Sequence, residues 1–239
     1  MKKKFLAILT IAAMTLSFTA CGDSDKKTTE EKTTTESTSG GQDLQHSIEL
    51  DGNILTPDEN DGIDITATRG TVENNAFTNE TFKISFPTTD TMRFLSDKEI
   101  ADLIGLTTEH LTENEKFSAE QLETATNGTI YDAYVYLDEL GSNVSITYRL
   151  TPYTEQQYAE STIQELTSLT SPKYTIDPVT TAKYGGQTYT VISANTDMGF
   201  NQKLLFRREG KYLITITLTI VEGQEALGED FLNSLTEVQ

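Results

Sequence analysis

The strongest constraint on the fold is a stretch of strict alternation near the C-terminus. From Ile214 to Ile220, isoleucine or leucine occupies every second position, with threonine between. Because successive side chains of a strand point to opposite faces, this pattern predicts a strand with one buried face. A strand is also predicted at Lys203–Arg208, and the short Glu209-Gly210 link between the two predicts antiparallel pairing.

Further strands are predicted upstream by apolar–polar alternation and by flanking turn residues. They are Phe82–Phe86, Tyr131–Leu137, Val144–Leu150, Tyr174–Ala182 and Tyr189–Ala194. The second and third of these are separated by a Gly-Ser-Asn turn and are expected to form a hairpin.

Helices are predicted after Ser96, Ser118 and Thr154, because each is followed three positions later by Glu or Gln, the spacing of a capping box. The helix after Thr154 should reach about Leu169 with Ala159, Ile163 and Leu166 facing inward. Leu227, Phe231 and Leu235 indicate a closing helix. Runs of strands with few helices between them predict an α+β fold, an antiparallel sheet flanked by helices, and not a doubly wound parallel sheet.

The first twenty residues have the order of a secretory signal peptide. Three lysines precede an apolar run from Phe5 to Phe18, which is shorter than the about 20 residues that cross a bilayer as a helix. Ala20 and Gly22 flank Cys21, an arrangement that resembles the lipobox of bacterial lipoproteins, in which the cysteine is lipidated. We predict that residues 1–20 are removed and that a lipid on Cys21 holds the protein at the extracytoplasmic face of the cell membrane. The alternative is an ordinary signal peptide, which would leave a free thiol.

Composition divides the mature chain into three parts. Residues 21–47 are rich in Thr, Ser, Glu and Lys, so burial cannot offset the entropy of ordering them, and we predict a disordered tether. Residues 48–75 place isolated apolar residues among Asp, Asn and Gly, which indicates an acidic, partly ordered extension. Residues 76–239 predict a single α+β domain. Because Cys21 is the only cysteine, that domain must be stable without a disulfide within the chain.

The formal net charge of −19 bears on the choice of partners. An anionic protein repels the phosphates of nucleic acids, so we expect no nucleic acid partner. The same charge should keep the domain away from anionic headgroups while the lipid holds it near the membrane. We interpret the acidity mainly as a means of staying soluble, and we expect a monomer.

Several segments, taken in order, resemble the PsbP-like superfamily. They are Phe77–Pro87, the helix after Ser96, the Gly185-Gly186-Gln187 turn, and the hairpin of Gln202–Arg208 with Tyr212–Ile220. The chain is similar in particular to small extracytoplasmic lipoproteins of Gram-positive bacteria, over about residues 76 to 236. The resemblance implies an α-β-α sandwich that acts as a non-enzymatic accessory or binding protein. Such proteins often carry an aromatic residue after the proline of the first strand, a place that Phe94 could fill here.

Two groups of residues have ligand types that metal ions prefer. Asp58, Asp61 and Asp64 lie in an acidic stretch, but its spacing lacks the glycine and the final glutamate of an EF-hand loop. His110, with Glu113 one helical turn away, could contribute to a zinc site. A solvated loop and an exposed helix face are the simpler interpretations, so we expect no metal and no cofactor.

Aromatic residues are frequent, whereas recognisable catalytic motifs are missing. The sequence has no nucleophile elbow, no glycine-rich phosphate loop and no His-Glu-x-x-His pair, which favours a non-enzymatic protein. Tyr131, Tyr134 and Tyr136 on one predicted strand, together with Phe94, are candidates for contacts with a sugar or a peptide. Tyrosines in such positions more often complete a core.

Three functions are compatible with the sequence. A binding or accessory module that contacts an envelope protein, a peptide or a glycan is favoured by the tether, by the lack of catalytic motifs and by the resemblance. A hydrolase of envelope glycan or peptide would need a pocket in which acids with raised pKa values converge. A small solute-binding protein would suit the lipid anchor, but about 160 ordered residues are few for two lobes.

Overall fold

The structure is a computed structural model that describes residues 49–50, 53–54, 67–104 and 128–238. Its strands are β1 (Glu49–Leu50), β2 (Asn53–Ile54), β3 (Thr71–Glu73), β4 (Ala76–Asn79), β5 (Ile84–Pro87), β6 (Arg93–Phe94), β7 (Thr129–Tyr136), β8 (Asn143–Leu150), β9 (Tyr174–Ile176), β10 (Thr180–Tyr184), β11 (Gln187–Thr196), β12 (Phe200–Glu209) and β13 (Tyr212–Val221). Its helices are α1 (Asp97–Leu103), α2 (Glu155–Ser168) and α3 (Glu225–Ser234). Strands β1 and β2 pair with each other, in a unit distinct from the one that contains the other elements.

One antiparallel sheet contains the eight strands from β6 to β13. Its order is β10-β11-β12-β13-β8-β7-β6, and β9 pairs with β11 beside β10. The alternating stretch forms β13, which lies between β12 and β8 and pairs with both. The predicted β7–β8 and β12–β13 hairpins are confirmed.

The main apolar core lies on one face of this sheet. Ile214, Ile216 and Leu218 of β13 are buried there. A second sheet, β3-β4-β5, supplies phenylalanines to the same core, and helix α3 adds Phe231, whose ring centroid is 5.0 Å from that of Phe86. The apolar face predicted from the alternation is therefore covered by a small sheet and a helix.

Helices α1 and α2 lie on the opposite face. Tyr158 of α2 packs against Phe206 of β12. Successive side chains of a strand point to opposite faces, and Leu205 belongs to the main core, so Phe206 points away from that core. Ile100 of α1 packs with two tyrosines of β7. Because helices cover both faces of an antiparallel sheet, the predicted α+β fold class is confirmed.

The capping boxes at Ser96 and Thr154 are confirmed. Each hydroxyl accepts a hydrogen bond from the backbone N–H three residues on, and the Glu99 and Gln157 side chains accept from the N–H of the cap residue. These reciprocal bonds satisfy amides that the first turn of a helix leaves unpaired. The helix predicted after Ser118 lies outside the described residues.

Several predicted boundaries are wrong in detail. The strand predicted from Phe82 begins at Ile84, because Lys83 has a φ of 53°, a left-handed conformation that interrupts an extended strand. The strand predicted from Tyr174 to Ala182 is split into β9 and β10, and Pro178, which has no N–H for a ladder, lies in the break. Helix α3 ends at Ser234, before the buried Leu235.

The inward face of α2 is also rotated from the predicted one. Its buried residues are Tyr158, Ala159 and Thr162, whereas Ile163 and Leu166 are only partly buried. The aromatic ring of Tyr158, packed on Phe206 of β12, is the large apolar group that this helix places against the sheet.

Candidate functional site

Two of the candidate tyrosines lie in the interior of the fold. Tyr131 and Tyr134 are buried and pack with Ile100 of α1. Burial raises the pKa of Tyr131 to about 12 and also raises the pKa of Tyr134, because an ionised phenolate would lose its hydration. The Tyr134 hydroxyl has no hydrogen-bond partner among the described residues. Both side chains contribute to packing.

The other two aromatic candidates lie at the edge where β6 pairs with β7. The Arg93 guanidinium is 5.1 Å from the centroid of the Tyr136 ring, within the range of a cation–π contact. The Phe94 ring lies nearly parallel to that of Phe77 in the main core, with 6.3 Å between centroids. Each ring therefore has a neighbour within the fold.

The remaining sequence candidates lie outside the described residues. They are Cys21, Asp58, Asp61, Asp64, His110 and Glu113. Among the residues that the structure does describe, no group of three or more His, Cys, Asp or Glu side chains could hold a metal ion. Within residues 67–104 and 128–238, no helix has the length and apolar character needed to cross a membrane.

A buried carboxylate holds the segment that precedes β3 against the main sheet. Asp132 accepts hydrogen bonds from the Gly70 backbone N–H at 2.6 Å and from Asn79 Nδ2 at 2.8 Å. Burial raises the pKa of Asp132 to about 6, although these two hydrogen bonds and the charge of Arg69 act in the opposite direction. Gly70 therefore lies beside the middle of β7.

Strand directions distinguish two ends of the main sheet. Thr129 at the start of β7 pairs with Arg149, which pairs with Leu213 at the start of β13, so all three lie at the end where the chain enters β7 and β13. We call this the entry end. The opposite end carries the turns at residues 137–142, 197–199 and 222–224, and we call it the acidic end.

The acidic end combines exposed acids with exposed apolar side chains. Glu139, Asp197 and Glu222 are exposed, one on each turn. Leu140 and Met198 are 65% and 38% exposed. The turns are held together, since the Glu222 N–H donates to a backbone oxygen of the 197–199 turn at 3.0 Å. This end therefore presents a connected surface of mixed character.

A cleft of about 180 Å³ opens between α3 and strands β11 and β12, adjoining the acidic end. Its floor contains Leu218, Ile220 and Leu232. Its rim is polar and contains Asn195, Asn201, Lys203, Glu225 and Glu229. An apolar floor with a few polar groups at the rim is the usual character of a ligand site in a protein.

The rim of the cleft carries a net negative charge. Lys203 Nζ lies 2.5 Å from Glu229 Oε1, so one ammonium is paired with one of the two carboxylates. Glu225 accepts a hydrogen bond from the Gly223 N–H at 3.0 Å, and backbone N–H groups, its own and that of Gly223, lower its pKa. Glu225 is therefore ionised at neutral pH.

Sequence patterns did not identify the cleft, because its residues come from β11, β12, β13 and α3. One local signal was available. Gly228 interrupts an otherwise regular helix, and a glycine there costs about 1 kcal/mol relative to alanine, which suggests a close approach of another element. A Cβ on Gly228 would lie 2.9 Å from Cγ1 of Ile220.

No protein-family model matches the chain, and no curated protein matches it. Among solved structures, the chain is similar to the solution structure of cyanobacterial PsbP (CyanoP) from Synechocystis sp. PCC 6803. The sequence identity is 11% and the TM-score 0.43, over 68% of this chain and 91% of that chain. The likeness concerns the course of the backbone, and nothing about function follows from it.

Proposed function

We propose that this chain is a non-enzymatic binding or accessory module of the bacterial cell envelope, held at the extracytoplasmic face of the membrane by a lipid on Cys21. The signal-like first twenty residues and the lipobox-like residues around Cys21 motivate the anchor, and the resemblance of residues 76–236 to small PsbP-like lipoproteins of Gram-positive bacteria motivates the host class. The ligand site of the module is the cleft between α3 and the sheet.

The observation that carries the proposal is the cleft itself. Its floor is apolar and its rim is polar, which is the usual character of a ligand site in a protein. The cleft adjoins the acidic end, where the exposed side chains of Leu140 and Met198 offer a partner further apolar surface.

The acids of the cleft favour binding over hydrolysis. Glu225 has a lowered pKa, so it is not the raised-pKa acid that donates a proton in a glycosidase, and Glu229 is already paired with Lys203. Asp132 has a raised pKa, but it is buried beside the middle of β7, and its carboxylate already accepts hydrogen bonds from Gly70 and Asn79. The hydrolase alternative therefore has less support.

Site-specific photo-crosslinking in the organism's own cells tests the binding function. The full chain would carry a photoreactive residue at Ser193, which lines the cleft, or at the exposed Lys83 as a control near the entry end. We expect a discrete crosslinked species from Ser193 and none from Lys83. No adduct at Ser193, or the same adducts at both positions, would refute the function.

The lipid anchor is tested separately by metabolic labelling with a clickable fatty acid. We expect the full chain to be labelled and to fractionate with membranes, and the Cys21→Ser variant to be unlabelled. Equal labelling of the two proteins would refute lipidation at Cys21.

A further inference from the structure

We infer that the acidic end and the adjoining cleft bind an extended, basic peptide segment with aliphatic side chains, supplied by a partner protein. This inference rests on the proposed function and adds the chemistry of the partner.

Charge complementarity selects a basic partner. Glu139, Asp197 and Glu222 are exposed on the three turns, and Glu225 continues this charge along the rim of the cleft. Two of the neighbouring cations are already paired with other acids, Arg93 with Glu99 and Lys203 with Glu229. The exposed Lys173 lies next to Asp197 and offsets one of these four charges, so the surface stays anionic. An anionic surface of this kind repels nucleic acids and anionic lipids and attracts lysine and arginine side chains.

The exposed apolar groups indicate that the partner is recognised through apolar contacts as well as through charge. Leu140 and Met198 are exposed on two of the turns, and Met is well suited to surfaces that adapt to a partner. The floor of the cleft offers Leu218 and Ile220 to one more aliphatic group, such as the stem of a lysine. A segment that alternates basic and aliphatic residues would satisfy both kinds of group.

The spacing of the turns suits an extended chain. The turn between β11 and β12 and the turn between β7 and β8 are separated by three strand spacings in the order β11-β12-β13-β8-β7, about 15 Å at about 4.8 Å each. About five extended residues cover that distance at about 3.3 Å per residue. The 222–224 turn lies between them, so the segment would cross all three turns.

Binding of defined peptides to the full chain tests the inference by fluorescence anisotropy. The probe is a labelled hexapeptide of alternating lysine and leucine, and the comparison peptides replace lysine with serine or with glutamate. We expect the lysine peptide alone to bind. Raising the salt concentration from about 0.05 M to about 0.5 M, which shortens the screening length to about 4 Å, should weaken its binding about tenfold.

Variants distinguish this surface from general attraction to an acidic protein. The double variant Glu222→Gln, Glu225→Gln should weaken binding about tenfold, and Met198→Ser about fivefold through lost apolar contact. The matched control is Glu80→Gln, which removes an exposed acid at the entry end, and should leave binding unchanged. Equal loss in the control and in the double variant would overturn the inference.

The remaining outcomes separate this inference from the proposed function. Binding of the serine or glutamate peptide that is lost in Ser193→Met would overturn the basic-peptide inference and leave a ligand-binding cleft in place. Self-association of the full chain that is lost in Met198→Ser would assign the acidic end to a second copy and also overturn the inference. Crosslinks from Ser193 in cells, without lysine-peptide binding, would again refute only the partner chemistry.

Discussion

The backbone N–H of Gly70 lies 2.6 Å from a carboxylate oxygen of Asp132, across 62 positions of the sequence. A second donor, Asn79 Nδ2, reaches the other oxygen of the same carboxylate at 2.8 Å. Because these groups belong to three separate segments, the buried acid joins the segment before β3 and the small sheet to β7. A charged group that is this deeply buried must influence how stability varies with pH.

We predict that Asp132 makes the fold less stable as the pH rises through about 6. Its pKa is about 6 in the folded protein and 3.8 for an unperturbed aspartate, so the folded state holds the proton more tightly. The contribution of Asp132 to the free energy of unfolding is therefore fully present below its pKa in the unfolded chain. It is lost as the pH rises through its pKa in the folded protein, and the total loss is about 3 kcal/mol. Urea unfolding at a series of pH values measures this change.

The control for this prediction is Asp132→Asn, which does not titrate. The difference in unfolding free energy, wild type minus variant, should fall by about 2.5 kcal/mol between about pH 4 and about pH 8. Other titrating groups cancel in that difference. If the free energies of unfolding of the two proteins changed with pH in parallel, Asp132 would have an ordinary pKa in the folded protein.

Sequence patterns correctly predicted the elements that are determined by residues close together in the chain. The alternation of β13 and the cap-to-N3 spacing at Ser96 and Thr154 are set by neighbours a few positions away, and the structure has them where expected. The start of β5 was wrong because it depends on the left-handed backbone of Lys83, and no residue type there signals such a turn.

The candidate site was predictable only in small part. Tyr131 and Tyr134 were correctly expected to suit a core, but strict alternation would place residues three apart on opposite faces, and only the bulge between Tyr131 and Ala133 brings both to one face of β7. The cleft depends on contacts between α3 and strands that precede it by up to about thirty positions, and the partner of Asp132 lies 62 positions away. Packing between distant segments decides both, and no short pattern encodes it.

The capping box of α2 provides a stability test with a conservative control. Thr154 Oγ1 accepts from the Gln157 N–H at 3.2 Å, and Gln157 Oε1 accepts from the Thr154 N–H at 2.9 Å. We expect Thr154→Ala to lower the free energy of unfolding by about 1 kcal/mol, because a first-turn amide loses its acceptor. Thr154→Ser keeps the hydroxyl and should stay within a few tenths of wild type. Equal loss in both variants would mean that the methyl group, and not the cap, is responsible.

Helix α3 approaches β13 so closely that only glycine fits at position 228. An added Cβ would lie 2.9 Å from Ile220 Cγ1. Alanine is intrinsically better than glycine in a helix by about 1 kcal/mol, whereas overpacking typically costs about 1–3 kcal/mol. We expect the clash to dominate, so that Gly228→Ala lowers the midpoint of thermal unfolding. Asp230→Ala, at an exposed position of the same helix, should raise it or leave it unchanged. A stabilised Gly228→Ala protein would contradict the close approach.

The buried guanidinium of Arg207 should contribute far more to stability than an exposed one. Its Nη2 donates to the Phe82 carbonyl, its Nη1 lies 2.6 Å from Glu209 Oε2, and its Cζ lies 5.7 Å from the Tyr189 ring centroid. Arg207→Met keeps much of the volume but leaves the buried Phe82 carbonyl without this donor and Glu209 without its cation. We expect a loss of about 3 kcal/mol in the free energy of unfolding by urea.

Arg93→Met is the matched control for Arg207→Met. Arg93 pairs with Glu99 at 2.7 Å, but both side chains are about half exposed, so water screens the pair and its loss should cost at most about 1 kcal/mol. Each variant removes one positive charge, so a difference between their losses of unfolding free energy reports on the burial of the arginine and not on the change in net charge. Similar losses in the two variants would mean that stability is decided by the net charge, which is already strongly negative. A difference of about 2 kcal/mol in the free energy of unfolding would assign the effect to the contacts of Arg207 with Phe82 and Glu209.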